Sequence, residues 1–195
     1  MNIGLFGGTF DPIHCAHLTV ARECADAFAL DKVLFVPAAN PPHKRGTATP
    51  YEDRLRMVEL ACQADFRFVA SRLEEGAEKS YSIHTIDRLR RQLAPEDRLF
   101  FIIGADAFAE IGSWHKWQDV IKAVEFIVVT RPGHDYIVPP GATVHRLDTL
   151  ALPVSSSEVR AQLAAGISPP ELEPPVTEYI RARHLYGIPH PPMLI

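Results

Sequence analysis

Gly4-Leu5-Phe6-Gly7-Gly8-Thr9-Phe10-Asp11-Pro12-Ile13-His14-Cys15-Ala16-His17 opens the chain. An apolar run from Asn2 ends in a glycine pair, turns through Asp-Pro and enters a segment with helical spacing. That order points backbone N–H groups and the positive end of a helix dipole at the carboxyl edge of a sheet, a geometry that favours phosphate. Glycines at 7 and 8 remove side chains where a ligand must approach the backbone closely. The stretch is neither GxGxxG nor GxxxxGK[ST], so a dinucleotide-hydride site and a P-loop lose their main support. His14 and His17 are three apart and project to one side if the helix begins near them. A tight βα turn with two packing or capping histidines explains the same residues. A zinc site does not, since only Cys15 lies nearby and no other cluster offers the remaining ligands.

The pattern outward from this corner alternates short β-rich runs with longer helical segments, which predicts an α/β fold: a Rossmann-like, doubly wound, mostly parallel sheet flanked by helices. Strands are expected at Asn2–Gly7, Lys32–Pro37, Phe66–Ala70, Arg98–Gly104, Glu125–Thr130 and Thr143–Leu147. LFFII is apolar at consecutive positions, as in a strand covered on both faces. Thr49, Pro50 and Glu52 predict an N-cap, a first-turn proline and a capping-box partner for a helix to about Cys62, with Leu55 and Val58 inward. Ile83, Ile86, Leu89 and Leu93 give another helix after Ser82, ended by Pro95. Ser155 and Glu158 form a second capping box, with Val159 and Leu163 on one stripe and Gly166 as terminator. A closing helix carries Val176, Tyr179, Ile180 and Arg183. Trp114 and Trp117 are spaced for one helical face.

The chain has 195 residues, 47% hydrophobic and 23% charged, with 20 Lys+Arg against 24 Asp+Glu. That length suits one domain, expected over residues 1–188, followed by a proline-rich tail at 189–195. The net charge of -4 argues against capture of bulk nucleic acid or an anionic membrane, and any phosphate site must be local. No apolar run reaches the length of a membrane span, and MNIGLFGG meets Gly7 and Asp11 before an export signal could develop. The three cysteines are odd in number and lack CxxC spacing, which suits a reducing compartment, so a cytoplasmic location is expected. A homo-oligomer remains open.

GGTFDPIHxxH at the first strand's end resembles the nucleotidyltransferase signature, in the form seen in bacterial nicotinate-nucleotide adenylyltransferases. Val154-Ser155-Ser156-Ser157-Glu158-Val159-Arg160 resembles that family's ISSTxIR motif. PAANPPHK, KSYS, IIGADAF, SWHKW, TRPG and YIRARHLYG extend the likeness over nearly the whole chain, short of the tail past Pro189. The resemblance implies that the phosphate of nicotinate mononucleotide attacks the α-phosphorus of ATP and pyrophosphate leaves. Such a reaction runs on positioning and electrostatic stabilisation, with Mg²⁺ carried on the ATP phosphates.

Residue by residue, the resemblance implies that His14 and His17 bond the triphosphate, His17 nearest the α-phosphate, with Gly8, Thr9 and Phe10 presenting backbone. Ser155, Ser156 and Arg160 would hold the β- and γ-phosphates, although a helix cap alone accounts for Ser155 and Glu158. Gly104 and Asp106 end the fourth strand, where Asp106 could accept from a ribose hydroxyl or cap a helix. On the acceptor side, Trp114 would stack on the pyridine ring, the Ser82 region would receive the carboxylate, and Asn40, His43, Lys44 and Arg131 would contact phosphate and ribose. The chain departs from the family at Ala16, where HxGH has glycine, at Val154, where isoleucine is usual, and at Ser82, where threonine is common. Related adenylyltransferases acting on nicotinamide mononucleotide or phosphopantetheine, and a nucleotide-binding module without turnover, are the alternatives.

Overall fold

The computed structural model describes residues 1–40, 49–131, 133, 135–149 and 154–187. The expected tail, the Pro41-Pro42 pair, His43 and Lys44 lie outside them. The elements in chain order are β1 (Asn2–Gly8), α1 (Cys15–Ala27), β2 (Lys32–Pro37), α2 (Tyr51–Ala61), β3 (Phe68–Ala70), α3 (Ser82–Arg90), β4 (Arg98–Gly104), α4 (Ala105–Ala109), α5 (Trp117–Ala123), β5 (Glu125–Thr130), β6 (Thr143–Asp148), α6 (Ser156–Ala164) and α7 (Pro174–Ala182).

The six strands among the described residues are all parallel, in the order β3-β2-β1-β4-β5-β6. The order reverses between β1 and β4, so the crevice beyond their carboxyl ends is where a doubly wound sheet binds its ligand. β4 is buried at five consecutive positions, as its unbroken apolar run predicts, because each face of the sheet carries its own core. Leu18 and Ala21 of α1, Met57 and Val58 of α2, Val159 of α6 and Val176 of α7 pack on one face. Ile86 of α3, Phe108 of α4 and Val120 of α5 pack on the other.

Several boundaries depart from the sequence expectations for identifiable reasons. β3 starts at Phe68 because Asp65 turns the chain: its carboxylate accepts the Arg67 backbone N–H at 3.0 Å and the Arg67 guanidinium at 2.8 Å, leaving Phe66 96% exposed. α2 has Pro50, not Thr49, at its N-cap, and the expected capping box does not form. Thr49 is buried with its carbonyl accepting from Arg54, while Glu52 faces Arg72 at 3.3 Å. α3 opens at Ser82 with Tyr81 in the capping position, and ends at Arg90, short of Leu93. Trp114 and Trp117 do not share a helix face. Trp114 follows the short turn Ile111–Ser113 in extended conformation, Lys116 takes φ +52, and α5 begins only at Trp117. The Ser155–Glu158 capping box forms as expected, with the Glu158 N–H donating to Ser155 Oγ at 3.2 Å, and Gly166 takes φ +76 beyond α6. The three cysteines are free thiols, and burial pushes Cys24 and Cys62 up to about 12.

Candidate active site

The corner between β1 and α1 is built from both ends of the quoted stretch. Gly7 is exposed with open space where a side chain would stand, whereas a Cβ on Gly8 would sit 2.9 Å from the Phe10 ring. Phe10 is buried against Phe6, His17 and Phe35, with ring centroids 5.8, 5.1 and 5.8 Å away. Its backbone holds φ +48, a left-handed conformation that a non-glycine residue adopts at a cost of about 1–2 kcal/mol. α1 then begins with His14 at the N-cap.

His14 and His17 do project together: their rings stack with centroids 3.9 Å apart at 29°. The His14 backbone N–H donates to His17 Nδ1 at 3.3 Å, which leaves the His17 proton on Nε2 and makes that nitrogen a donor. The His17 backbone N–H goes to the His14 carbonyl at 3.0 Å, and His14 Nδ1 is buried without a partner among the described residues. Burial lowers His14 to about 4, opposed by the charge of Glu171, and lowers His17 to about 3, helped by its neighbour His14. Both rings are therefore neutral donors or acceptors near pH 7.

That pairing has a consequence for stability. In the unfolded chain both histidines protonate near 6.5, well above their folded values, so as pH falls the unfolded state takes up protons first and stability is lost. Denaturant unfolding should show stability falling between about pH 6.5 and 4, by up to about 1.4 kcal/mol per pH unit for each ring. His17→Gln should flatten that slope. The carboxylates held low by basic partners, Asp65, Asp97 and Glu125, act only below about pH 4.5.

The late serine-rich element meets this corner directly. Ser156 Oγ donates to the Pro12 carbonyl at 3.0 Å across 144 positions of sequence, and Arg160 Nη1 donates to the Asp11 carbonyl at 2.7 Å. Arg160 Nη2 donates to Ser157 Oγ at 3.1 Å. The Asp11 carboxylate is buried and accepts the Tyr186 hydroxyl at 2.7 Å, which ties the C-terminal part of the described chain to the same turn.

Two cavities open at the switch point. One, of about 480 Å³, is lined by Phe6, Gly104, Asp106, Thr130, Arg131 and Thr149 among others. The second, of about 240 Å³, is lined by Gly7, Gly8, Glu74, Ser82, Thr85 and Trp114 among others. Phe6 and Gly104 border both, and Gly104 has open space at its Cα, so the two form one interrupted crevice.

A model of the cytidylyltransferase-like family matches residues 5–162. The chain is 59% identical over 188 residues to the probable nicotinate-nucleotide adenylyltransferase of Solibacter usitatus, covering 96% of this chain and 100% of that one. It is 43% identical to the protein of the same name from Exiguobacterium sibiricum, with the same coverage. The chain belongs to the nicotinate-nucleotide adenylyltransferase family. The fold agrees with that of Plasmodium falciparum nicotinic acid mononucleotide adenylyltransferase in its complex with NaAD, at a TM-score of 0.79, 20% identity and 96% and 98% coverage of the two chains.

Within this nicotinate-nucleotide adenylyltransferase fold, the residues singled out from sequence fall into three groups. Gly8, Thr9, Phe10, His14, His17, Ser156 and Arg160 meet at the β1–α1 corner, with Ser155 capping the adjoining α6. Ser82 and Trp114 line the smaller cavity, where the Trp114 ring sits edge-on to Phe101 at 5.9 Å. Gly104, Asp106 and Arg131 line the larger one. Arg131 thus lines the larger cavity and Trp114 the smaller, on either side of the shared Phe6 and Gly104. Asp106 is the second residue of α4 with Gly104 at the N-cap, so it is not that helix's cap residue. Asn40 sits beside the smaller cavity through its neighbours: its backbone N–H donates to Ser80 Oγ at 2.9 Å, and its side-chain amide donates to the Glu78 carbonyl.

Three contributors escaped the sequence reading. Glu74 is buried, accepting Thr85 Oγ1 at 2.7 Å and the Ala39 N–H at 3.2 Å, and so joins the β2 exit to α3. Tyr186 holds Asp11, and Arg54 holds the Thr9 carbonyl at 2.7 Å. The available signal for Arg54 was its place on the same helical stripe as Val58 and Ala61, where a charge is out of pattern.

Proposed function

We infer that the chain transfers the adenylyl group of ATP to nicotinate mononucleotide, releasing pyrophosphate and forming nicotinic acid adenine dinucleotide in NAD biosynthesis. The contact of Ser156 and Arg160 with the Pro12 and Asp11 carbonyls carries this reading. It draws two polar elements, distant in sequence, to one edge of the sheet beside a helix start. The family relationship supplies the choice of substrates.

ATP lies in the crevice with its adenosine toward the larger cavity, where Asp106 accepts from a ribose hydroxyl beside Gly104. The triphosphate runs past Gly8, Thr9 and Phe10 to the start of α1. His17 donates from Nε2 to an α-phosphate oxygen, and His14 assists from the stacked ring. Ser155, Ser156 and the Arg160 guanidinium hold the β- and γ-phosphates, which become the leaving pyrophosphate. Nicotinate mononucleotide occupies the smaller cavity with its pyridine ring against Trp114. Its carboxylate meets donors near Ser82, with Asn40, His43, Lys44 and Arg131 as contacts for its phosphate and ribose. That phosphate then faces the α-phosphorus in line with the departing oxygen. No protein nucleophile is required, because an ionised phosphate is already one.

Among the described residues no three His, Cys, Asp or Glu side chains gather as a metal cage, and the Asp11 carboxylate already accepts Tyr186. Ser155, Ser156 and Arg160 would hold the ATP phosphates on which Mg²⁺ would be carried. When bound, the ion offsets charge on the departing pyrophosphate. The described helices include none long and apolar enough to cross a membrane. Pyrophosphate release measured with ATP and each of nicotinate mononucleotide, nicotinamide mononucleotide and phosphopantetheine tests the assignment. The first should be turned over fastest, and faster turnover of phosphopantetheine would reject it.

A further inference from the structure

Arg54 of α2 is 0% exposed, and none of the roles assigned above to substrate contacts falls to it. Its Nη1 donates to the Thr9 carbonyl at 2.7 Å and its Nε to the Thr49 carbonyl at 3.2 Å. Nη2 is buried without a partner among the described residues. Burying a guanidinium under these conditions is unfavourable, and an apolar side chain would pack the stripe beside Val58 with less penalty. What the arginine achieves is local. It grips the peptide that leads into Phe10, while Arg160 Nη1 grips the Asp11 carbonyl on the far side at 2.7 Å. Between these two grips stands Phe10 at φ +48.

In a trans peptide the carbonyl and the following N–H point in opposite directions. Drawing the Thr9 carbonyl toward α2 therefore turns the Phe10 N–H away from α2. We propose that Arg54 is a positioning residue that fixes the Thr9–Phe10 peptide so that its N–H is aimed at the ATP phosphates. This inference rests on the adenylyl-transfer reading. Lysine cannot substitute, because one ammonium lacks the fork that spans Thr9 and Thr49 together.

The test compares Arg54→Lys with Asp53→Asn in the full-length protein. Asp53, the preceding residue, is also buried, but it faces α7, accepting Tyr179 at 2.7 Å and Arg183 at 3.1 Å. Arg54→Lys should raise KM for ATP at least about tenfold and lower kcat about tenfold, leaving KM for nicotinate mononucleotide within about twofold. Asp53→Asn should lower the melting temperature with both KM values unchanged. Wild-type kinetic constants in Arg54→Lys, or equal increases in KM for both substrates, would overturn the proposal. Should Arg54→Lys fail to fold, the Arg54 Nη1–H resonance of the wild-type protein, the donor to the Thr9 carbonyl, decides. It should shift with an α,β-methylene ATP analogue and stay in place with nicotinate mononucleotide, and no shift with the analogue overturns the proposal. If the wild-type enzyme makes no dinucleotide, the functional reading fails separately, and the analogue titration still reports on Arg54.

Discussion

His17→Ala is expected to lower kcat by about 10²- to 10³-fold while the protein stays folded, the scale for losing one preorganised donor to a transition state. The ring is fixed three ways: its Nδ1 accepts the His14 N–H, its plane stacks on His14, and Phe10 lies against its edge. A donor so constrained needs no reorganisation as charge builds on the α-phosphate oxygens. Because burial keeps the ring neutral, its proposed contribution is a directed N–H rather than a net charge. Glutamine, whose amide reaches the position of Nε2, should therefore recover part of the loss. Single-turnover kinetics would separate the chemical step from binding. Unchanged turnover in the alanine variant would leave His17 a packing residue.

Arg160→Ala is expected to lower kcat/KM for ATP by about 10²-fold or more, since hydrogen bonds to charged groups each contribute about 1.5–3 kcal/mol. The side chain has two tasks. One is visible in its bond to the Asp11 carbonyl, which stabilises the turn after Phe10. The other is the proposed hold on the β- and γ-phosphates, for which its guanidinium is only half-buried. The variant divides these tasks. Loss of the turn alone would lower the melting temperature with KM for ATP near wild type, whereas loss of the phosphate contact raises that KM with nicotinate mononucleotide affinity preserved. Lysine at 160 retains charge without the fork and should restore less than about tenfold.

Much of this architecture is legible in short-range pattern. β1, β2, β4 and β5 are recognisable because strands buried on both faces must be apolar throughout, and Ser155 with Glu158 marks a helix start because orphan backbone donors need a local acceptor. The departures occur where a tertiary contact outweighs a local preference. Asp65 captures the backbone and guanidinium of Arg67 and so delays β3, while Thr49 is buried with its carbonyl bonded to Arg54 and the cap falls on Pro50. Trp114 and Trp117 have helical spacing, but a left-handed Lys116 breaks the segment between them. Arg131 follows a strand whose carboxyl end faces the larger cavity, a position that depends on strand order and not on any neighbouring residue. The same reasoning covers the bond of Glu74 to Ala39 and that of Tyr186 to Asp11, which span 35 and 175 positions.

As proposed above, adenylyl transfer here is a single displacement, made fast by positioning. This is tested most directly by the stereochemistry at the α-phosphorus, using ATP that carries one sulfur in place of an α-phosphate oxygen in a known configuration. One in-line attack by nicotinate mononucleotide must invert that centre, so the dinucleotide product should carry the inverted configuration. Retention would require two successive displacements through a covalent adenylyl-protein intermediate, and would contradict the account.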